Sequence, residues 1–263
     1  MQIDLTGRSA IITGGSSGLG LAMARQLSAS GADVAILARR PDVVARAVAE
    51  LKTTAKGRVA GFGCDVSKVR PIKAAFTAAV AAFGKVDIVI NNAGVSRAMP
   101  FFEATDDIWQ EDLDLKLFAA IRMARLAMPP MMERRWGRII NVLNIGAKAP
   151  RGASAPTSVS RAAGMALTKV LSHEGAPHNV LVNAMLVGLI RSDQWDRRYK
   201  AAKAEGSNED YEDFMTRLAA GVPMQRLGTA EEFASLACFL CSDQGGYVTG
   251  TAINVDGGSS PVV

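Results

Sequence analysis

The stretch Thr13-Gly14-Gly15-Ser16-Ser17-Gly18-Leu19-Gly20 decides the fold. It follows an apolar, β-branched run, Ser9-Ala10-Ile11-Ile12, and opens onto an amphipathic helical pattern, Leu21-Ala22-Met23-Ala24-Arg25-Gln26-Leu27. Glycines let the chain turn tightly and bring its backbone against a pyrophosphate. The new helix meets that anion with unpaired N–H groups and the positive end of its dipole. Alone, such a turn is a weak signal; after the first strand of a βαβ unit it points to nucleotide binding.

Outward from this turn, short β-rich apolar runs alternate with longer helical patterns, the signature of parallel strands joined by crossover helices. The runs predict strands near 8–13, 33–38, 58–63, 86–91, 137–143, 179–184 and 251–255, and helices near 18–30, 41–55, 68–84, 106–135, 157–175 and 229–242. The expected fold is α/β: one doubly wound, Rossmann-type domain over residues 1–263, a seven-stranded parallel sheet with helices on both faces. Residues 190–228 interrupt the alternation with polar helical sequence (Asp196-Arg-Arg-Tyr-Lys200, Asn208-Glu-Asp-Tyr-Glu-Asp213). An insertion at the carboxyl end of a strand lies where open α/β sheets bind ligands, so a substrate lid is expected. Its aromatic and apolar contacts would come from Gln194, Trp195 and Phe214, and Thr229-x-x-Glu232 reads as a capping box starting the last helix.

Composition narrows the function. The 263 residues are 49% hydrophobic and 21% charged, ordinary for a folded globular chain. No apolar run reaches membrane-spanning length, and the start, Met1-Gln-Ile-Asp-Leu-Thr-Gly7, has neither a basic nor an apolar leader segment, so a cytoplasmic protein is expected. The net charge of +5 is dispersed, which argues against nucleic acid. The densest basic cluster, Arg134-Arg135-Trp136-Gly137-Arg138, reads as a turn with a solvated face. Three cysteines and two histidines make a disulfide framework or a metal centre improbable; Cys238 and Cys241 read as one face of an apolar helix.

Taken together, T-G-x-x-x-G-x-G and four further motifs resemble the short-chain dehydrogenase/reductase family over residues 5–258. Asp65-Val66 is similar to its adenine-contacting pair, Asn91-Asn-Ala-Gly94 to its N-N-A-G strand end, Gly188-Leu-Ile-Arg-Ser192 to its nicotinamide-side turn, and Val255-Asp-Gly-Gly258 to its C-terminal signature. The resemblance implies a dinucleotide held by Gly14, Ser16, Ser17, Gly18, Leu19, Gly20, Asp65, Val66, Asn91, Ala93, Gly94, Gly188, Ile190 and Ser192. It also implies a homodimer or homotetramer packed through helices 106–135 and 157–175 and the C-terminal segment.

Cofactor choice follows from the end of the second strand, where an acid bonds a ribose 2′-OH and an arginine accepts a 2′-phosphate. Here Ala38 stands at the acid position, followed by Arg39-Arg40. With no carboxylate to repel a phosphate and a guanidinium to grip it, NADP is expected over NAD, with Arg39 as main reader and Ser16 assisting.

The family's usual Asn-Ser-Tyr-Lys set is replaced throughout. In register, the Asn position holds Lys116, the Ser position Asn144, the Tyr position Thr157 and the Lys position Arg161. Tyr199-x-x-x-Lys203 satisfies the family's Y-x-x-x-K spacing but lies in the insertion, and reads as coincidence. Reducing a carbonyl needs a proton or strong hydrogen bonds as negative charge develops. Threonine is a poor acid and arginine holds its proton, so Lys116, with its pKa depressed by burial beside Arg161, is the candidate proton donor. The alternative for Lys116 is a surface lysine paired with a nearby acid in Asp112-Leu-Asp-Leu-Lys116. Asn144 would hydrogen-bond the substrate oxygen, Arg161 the ribose hydroxyls or an anionic substrate, and the short Thr157 would leave a roomier pocket or admit a water. The expected function is an NADP-dependent oxidoreductase acting on a small carbonyl, imine or activated alkene; an imine carries its own proton and tolerates the loss of tyrosine best. The alternatives are a non-redox lyase or addition–elimination enzyme in the same pocket, and a catalytically silent NADP(H) sensor.

Overall fold

A computed structural model describes residues 3–191 and 193–263. Seven strands form one sheet: β1 (Ser9–Thr13), β2 (Asp33–Ala38), β3 (Val59–Gly63), β4 (Ile88–Asn91), β5 (Gly137–Asn144), β6 (Val180–Val187) and β7 (Ala252–Val255). Their order is β3-β2-β1-β4-β5-β6-β7, and every pairing is parallel. The helices are α1 (Gly18–Ala29), α2 (Pro41–Lys52), α3 (Val69–Phe83), α4 (Asp106–Leu113), α5 (Ala119–Glu133), α6 (Thr157–Gly175), α7 (Asp193–Ala204), α8 (Tyr211–Ala220) and α9 (Ala230–Leu240).

Strand residues alternate between the two faces, so consecutive isoleucines of β1 enter different cores. Ile12 packs with Met23, Leu27 and Phe233 on the side of α1 and α9, and Ile11 with Ile72, Phe76 and Met123 on the side of α3 and α5. Strand order reverses at β1, which pairs with both β2 and β4. The glycine turn leaves β1 at this switch point, where doubly wound sheets open a crevice for ligands.

Three expectations change in the structure. The helix expected over 106–135 is three segments: α4, a π-helical turn over Asp114–Phe118, and α5. The extra residue in this wide turn re-aims the side chains it carries, and Lys116 is one of them. The cluster Arg134–Arg138 is a solvated turn only in its first half: Arg134 and Arg135 are exposed at the turn, whereas Trp136 and Arg138 are buried. The ring of Trp136 lies between the guanidinium groups of Arg8 at 3.6 Å and Arg138 at 4.3 Å, and its Nε1 donates to Asp243 Oδ1 at 2.9 Å. Arg138 is 2% exposed, so its contact with the Trp136 ring lies in the interior at the start of β5. Within the insertion, Phe214 is buried rather than facing a ligand. It meets the ring of Tyr199, which also stacks edge-on with Tyr211, and these contacts tie α7 to α8. Tyr199 is thereby spent on packing.

Both ends of the insertion leave from one place. Gly228 N donates to the Leu189 carbonyl at 3.0 Å and Arg191 N to the Gly228 carbonyl at 2.9 Å, a single parallel bridge that pins its base. At the following helix, Thr229 and Glu232 form the expected reciprocal cap, with Glu232 N donating to Thr229 Oγ1 at 3.1 Å and Thr229 N to Glu232 Oε2 at 2.8 Å.

Cys64, Cys238 and Cys241 are free and buried. Burial pushes the Cys64 thiol up to about 11 and the Cys238 and Cys241 thiols up as well, which suppresses the reactive thiolate. Native protein is therefore expected to resist a thiol-alkylating reagent at neutral pH and to react at all three cysteines once unfolded in guanidinium. Mass spectrometry of native and unfolded samples checks this, and rapid labelling of native Cys241 would contradict it.

Candidate active site

The crevice at the switch point is a cleft of about 590 Å³. Gly14, Ser16, Ser17, Gly18, Leu19 and Gly20 form one wall. Gly14 and Gly18 have φ of +65° and +51°, a left-handed conformation that favours glycine, and a Cβ on Gly18 would project into empty space. The N-terminus of α1 opens into the cleft with no side-chain cap on Ser17 and no acidic residue in its first turn. Its N–H groups are thus left for an outside anion, which fits a pyrophosphate.

Arg39 and Arg40 line the cleft at the end of β2, and Asp65 and Val66 at the end of β3. Among the described residues neither arginine side chain makes an ion pair or hydrogen bond. Asp65 Oδ1 accepts from Ser67 N at 3.0 Å and Ser67 Oγ at 2.8 Å, which fixes that turn. Ala93 and Gly94 also line the cleft, whereas the amide of Asn91 turns into the sheet and donates to Asn141 Oδ1 at 2.9 Å. Its neighbour Asn92, absent from the sequence-based set, lines the cleft instead. Its Nδ2 donates to the Thr13 carbonyl at 3.0 Å, bracing the glycine turn. The first two asparagines of N-N-A-G are indistinguishable by motif; only the alternation of the strand tells which faces the cleft. Gly188 packs against Asp256, and Ile190 lines a second pocket near Val222 and Gly257. Ser192 lies outside the described residues.

Two of the four replaced catalytic positions, Lys116 and Thr157, are buried and bonded to each other, with the Arg161 guanidinium close to Lys116; Asn144, half-buried at the end of β5, makes no hydrogen bond to them among the described residues. Lys116 Nζ donates to Asp112 Oδ1, one helical turn earlier, and to Thr157 Oγ1 at 2.9 Å. Asp112 Oδ2 accepts from Ser160 Oγ at 2.6 Å, and Thr157 Oγ1 accepts a second bond, from Arg97 N at 2.9 Å. The side chains of Lys116 and Asp112 are 1% and 0% exposed, so the lysine does pair with a nearby acid, but in the interior rather than at the surface. Burial, with Arg161 and Arg97 nearby, outweighs Asp112 and brings the Lys116 ammonium down to about 8. Lys116 and the Arg97 backbone both donate to the Thr157 hydroxyl. Asp112 and Ser160 were not among the expected site residues; the i,i+4 spacing of Asp112 and Lys116 was the signal for the first.

Arg161 Nη1 donates to the Val142 carbonyl at 2.8 Å, while its Nε is buried without a partner. Burial lowers its pKa to about 10, leaving it a cation at neutral pH. A Cβ at position 94 would lie 2.5 Å from Nη2, so the glycine of N-N-A-G makes room for this guanidinium. Asn144 Oδ1, at the end of β5, is also buried without a donor. Arg161 Nε, orphaned beside the Gly94 cradle, and the orphaned Asn144 Oδ1 fit a site that a ligand completes. Among the described residues there is no cluster suited to a metal ion and no helix long and apolar enough to cross a membrane.

Known proteins resemble this chain along nearly its whole length. A family model described as Enoyl-(Acyl carrier protein) reductase matches residues 14–260. The chain is 34% identical over 257 residues to Nodulation protein G of Rhizobium sp. (strain N33), covering 98% of both chains. It is 35% identical over 259 residues to 3beta-hydroxysteroid dehydrogenase 1 of Eggerthella lenta, covering 98% of this chain and 95% of that one. L-sorbose reductase from Gluconobacter frateurii, solved with NADPH and L-sorbose, superposes with a TM-score of 0.96 at 33% identity, covering 100% of both chains. With a 3-2-1-4-5-6-7 sheet, a glycine turn at its switch point and likeness along nearly its whole length, the chain belongs to the short-chain dehydrogenase/reductase family of oxidoreductases.

Proposed function

We propose that the protein is an NADP-dependent oxidoreductase acting on a small carbonyl, imine or activated alkene, with Lys116, Asn144, Thr157 and Arg161 in place of the family's usual set. The carrying observation is the pairing of a cleft bearing two unpartnered arginines, Arg39 and Arg40, with a buried lysine whose ammonium is brought to about 8. A bound nicotinamide would supply or accept the hydride. Around it, the α1 N-terminus takes the pyrophosphate, and Arg39, with Ser16, takes a 2′-phosphate. Lys116 is the proton source, since a group titrating near 8 changes protonation within the working range. Arg161 supplies fixed positive charge, and the Asn144 amide a hydrogen bond to the reacting oxygen. The NADPH held by L-sorbose reductase supports the same cofactor here.

The insertion over 190–228 serves as the substrate lid, and cytoplasmic residence belongs to the same proposal. So does a homodimer or homotetramer, supported by Phe118, Val159 and Val170, large apolar side chains exposed on the π turn and α6. The burial of Lys116 and Thr157 favours one second reading, a dinucleotide-binding sensor without turnover.

Fluorescence titration with NADPH and NADH, followed by ketones, imines and enones, separates these. NADPH is expected to bind at least tenfold more tightly than NADH, with turnover of one substrate class. Tight binding without turnover selects the sensor, and failure to bind either nucleotide removes both readings.

A further inference from the structure

Thr157 holds the family's tyrosine position, yet its hydroxyl is wired differently from a solitary threonine. An sp³ hydroxyl oxygen accepts two hydrogen bonds and donates one. Both acceptor directions of Oγ1 are filled, by Lys116 Nζ at 2.9 Å and Arg97 N at 2.9 Å. Among the described residues, no acceptor takes the Thr157 proton, although the residue is only 3% exposed. That proton is the unspent donor of the network. Behind it the chain continues inward from Lys116 Nζ to Asp112 and from Asp112 Oδ2 to Ser160 Oγ at 2.6 Å.

We propose that Thr157 is the catalytic hydroxyl of a two-proton relay: it gives its proton to the reacting substrate oxygen while Lys116 refills it, with Asp112 and Ser160 as positioning residues that hold Lys116 in line. The inference rests on the oxidoreductase reading above. When hydride, which a bound reduced nicotinamide would supply, reaches the substrate carbon, the carbonyl π pair moves onto oxygen. The Oγ1–H bond breaks as the new O–H bond forms, and an Nζ–H bond of Lys116 breaks as Oγ1–H is restored. Lys116 ends neutral beside the Asp112 carboxylate. After product leaves, a water at the same position returns a proton along the same path and departs to solvent as hydroxide. Two donors aimed at Oγ1 stabilise the negative charge that passes through it, which offsets the weak intrinsic acidity of a threonine.

The groups facing Lys116 are Asp112 from its own helix, Arg161 and Thr157 from α6, and Arg97 from the loop after β4. Asp112 is the anion in this set, so its removal has a defined sign: Asp112→Asn lowers the Lys116 pKa. Asparagine still accepts from Ser160 and donates to a neutral amine, so the fold is preserved.

The test uses full-length wild type, Thr157→Ser, Thr157→Val and Asp112→Asn. With NADPH and the substrate class found by screening, Thr157→Ser is expected to keep kcat/KM within tenfold. Thr157→Val, which keeps the shape and removes the hydroxyl, should lose at least a hundredfold with NADPH affinity unchanged. Independently of turnover, NMR titration of the Lys116 side-chain nitrogen, with NADPH bound and no substrate, should show the midpoint falling by at least one pH unit in Asp112→Asn. Full activity in Thr157→Val overturns the relay alone, and an unmoved Lys116 midpoint removes Asp112 as its positioning residue. Silence of wild type on every substrate with NADPH bound overturns the reading beneath it.

Discussion

Lys116→Met is expected to lower kcat/KM by about a hundred- to ten-thousandfold, the usual worth of a positioned acid. It is also expected to destabilise the fold by about 3–5 kcal/mol, because it leaves the Asp112 carboxylate buried without its counter-ion. The two effects are separable. Lys116→Met with Asp112→Asn removes the stranded charge, so urea unfolding of the double variant should recover most of the lost stability while activity stays lost. Recovery of activity with stability would show that the lysine serves only the fold. A pH signature accompanies this. The folded protein holds the Lys116 pKa at about 8, below its ordinary 10.5, so between these values it binds fewer protons than the unfolded chain. Stability contributed through this group therefore rises as pH climbs from 8 to 10.5, and the double variant should lack that rise.

Arg39→Asp is expected to weaken NADPH by about ten- to a hundredfold and leave NADH no weaker than before, reversing the preference. The guanidinium that would fork onto a 2′-phosphate is replaced by a carboxylate that repels it and can accept from a ribose 2′-OH. Competition between the two reduced dinucleotides in one titration reads the ratio directly. Equal affinity before and after the substitution would place the phosphate elsewhere, with Arg40 as the next candidate at the same edge of the cleft.

Much of this was legible before any coordinates. The alternation of Ser9–Thr13 with the glycine turn and helix α1 is a local pattern with a local cause, and every strand end falls within two residues of its expected place except the end of β6, which runs three residues further. The dinucleotide wall is likewise backbone chemistry, written in glycine positions. What stayed hidden depends on contacts distant in sequence. Asp112 and Ser160 are 48 positions apart and meet only because α4 and α6 cross beside the cleft. The π turn at Lys116 gives no signal in propensity, since its residues are as helical as their neighbours; it follows from packing. Trp136 was hidden for the same reason: Arg134 and Arg135 are exposed, as a run of arginines suggests, but Arg8, from just before β1 and distant in sequence, stacks on the buried ring.

The bridge between Ile190 and Gly228 has an evolutionary meaning. A segment that departs and returns at one point of a rigid frame adds little to the frame's folding and takes little away when exchanged. Residues 191–227 can thus be regarded as a cassette, open to replacement by drift or by grafting, while the nucleotide apparatus, built on other strands at the same carboxyl edge of the sheet, stays under its own selection. A chimera joined at those two residues would inherit this protein's cofactor and its donor's appetite.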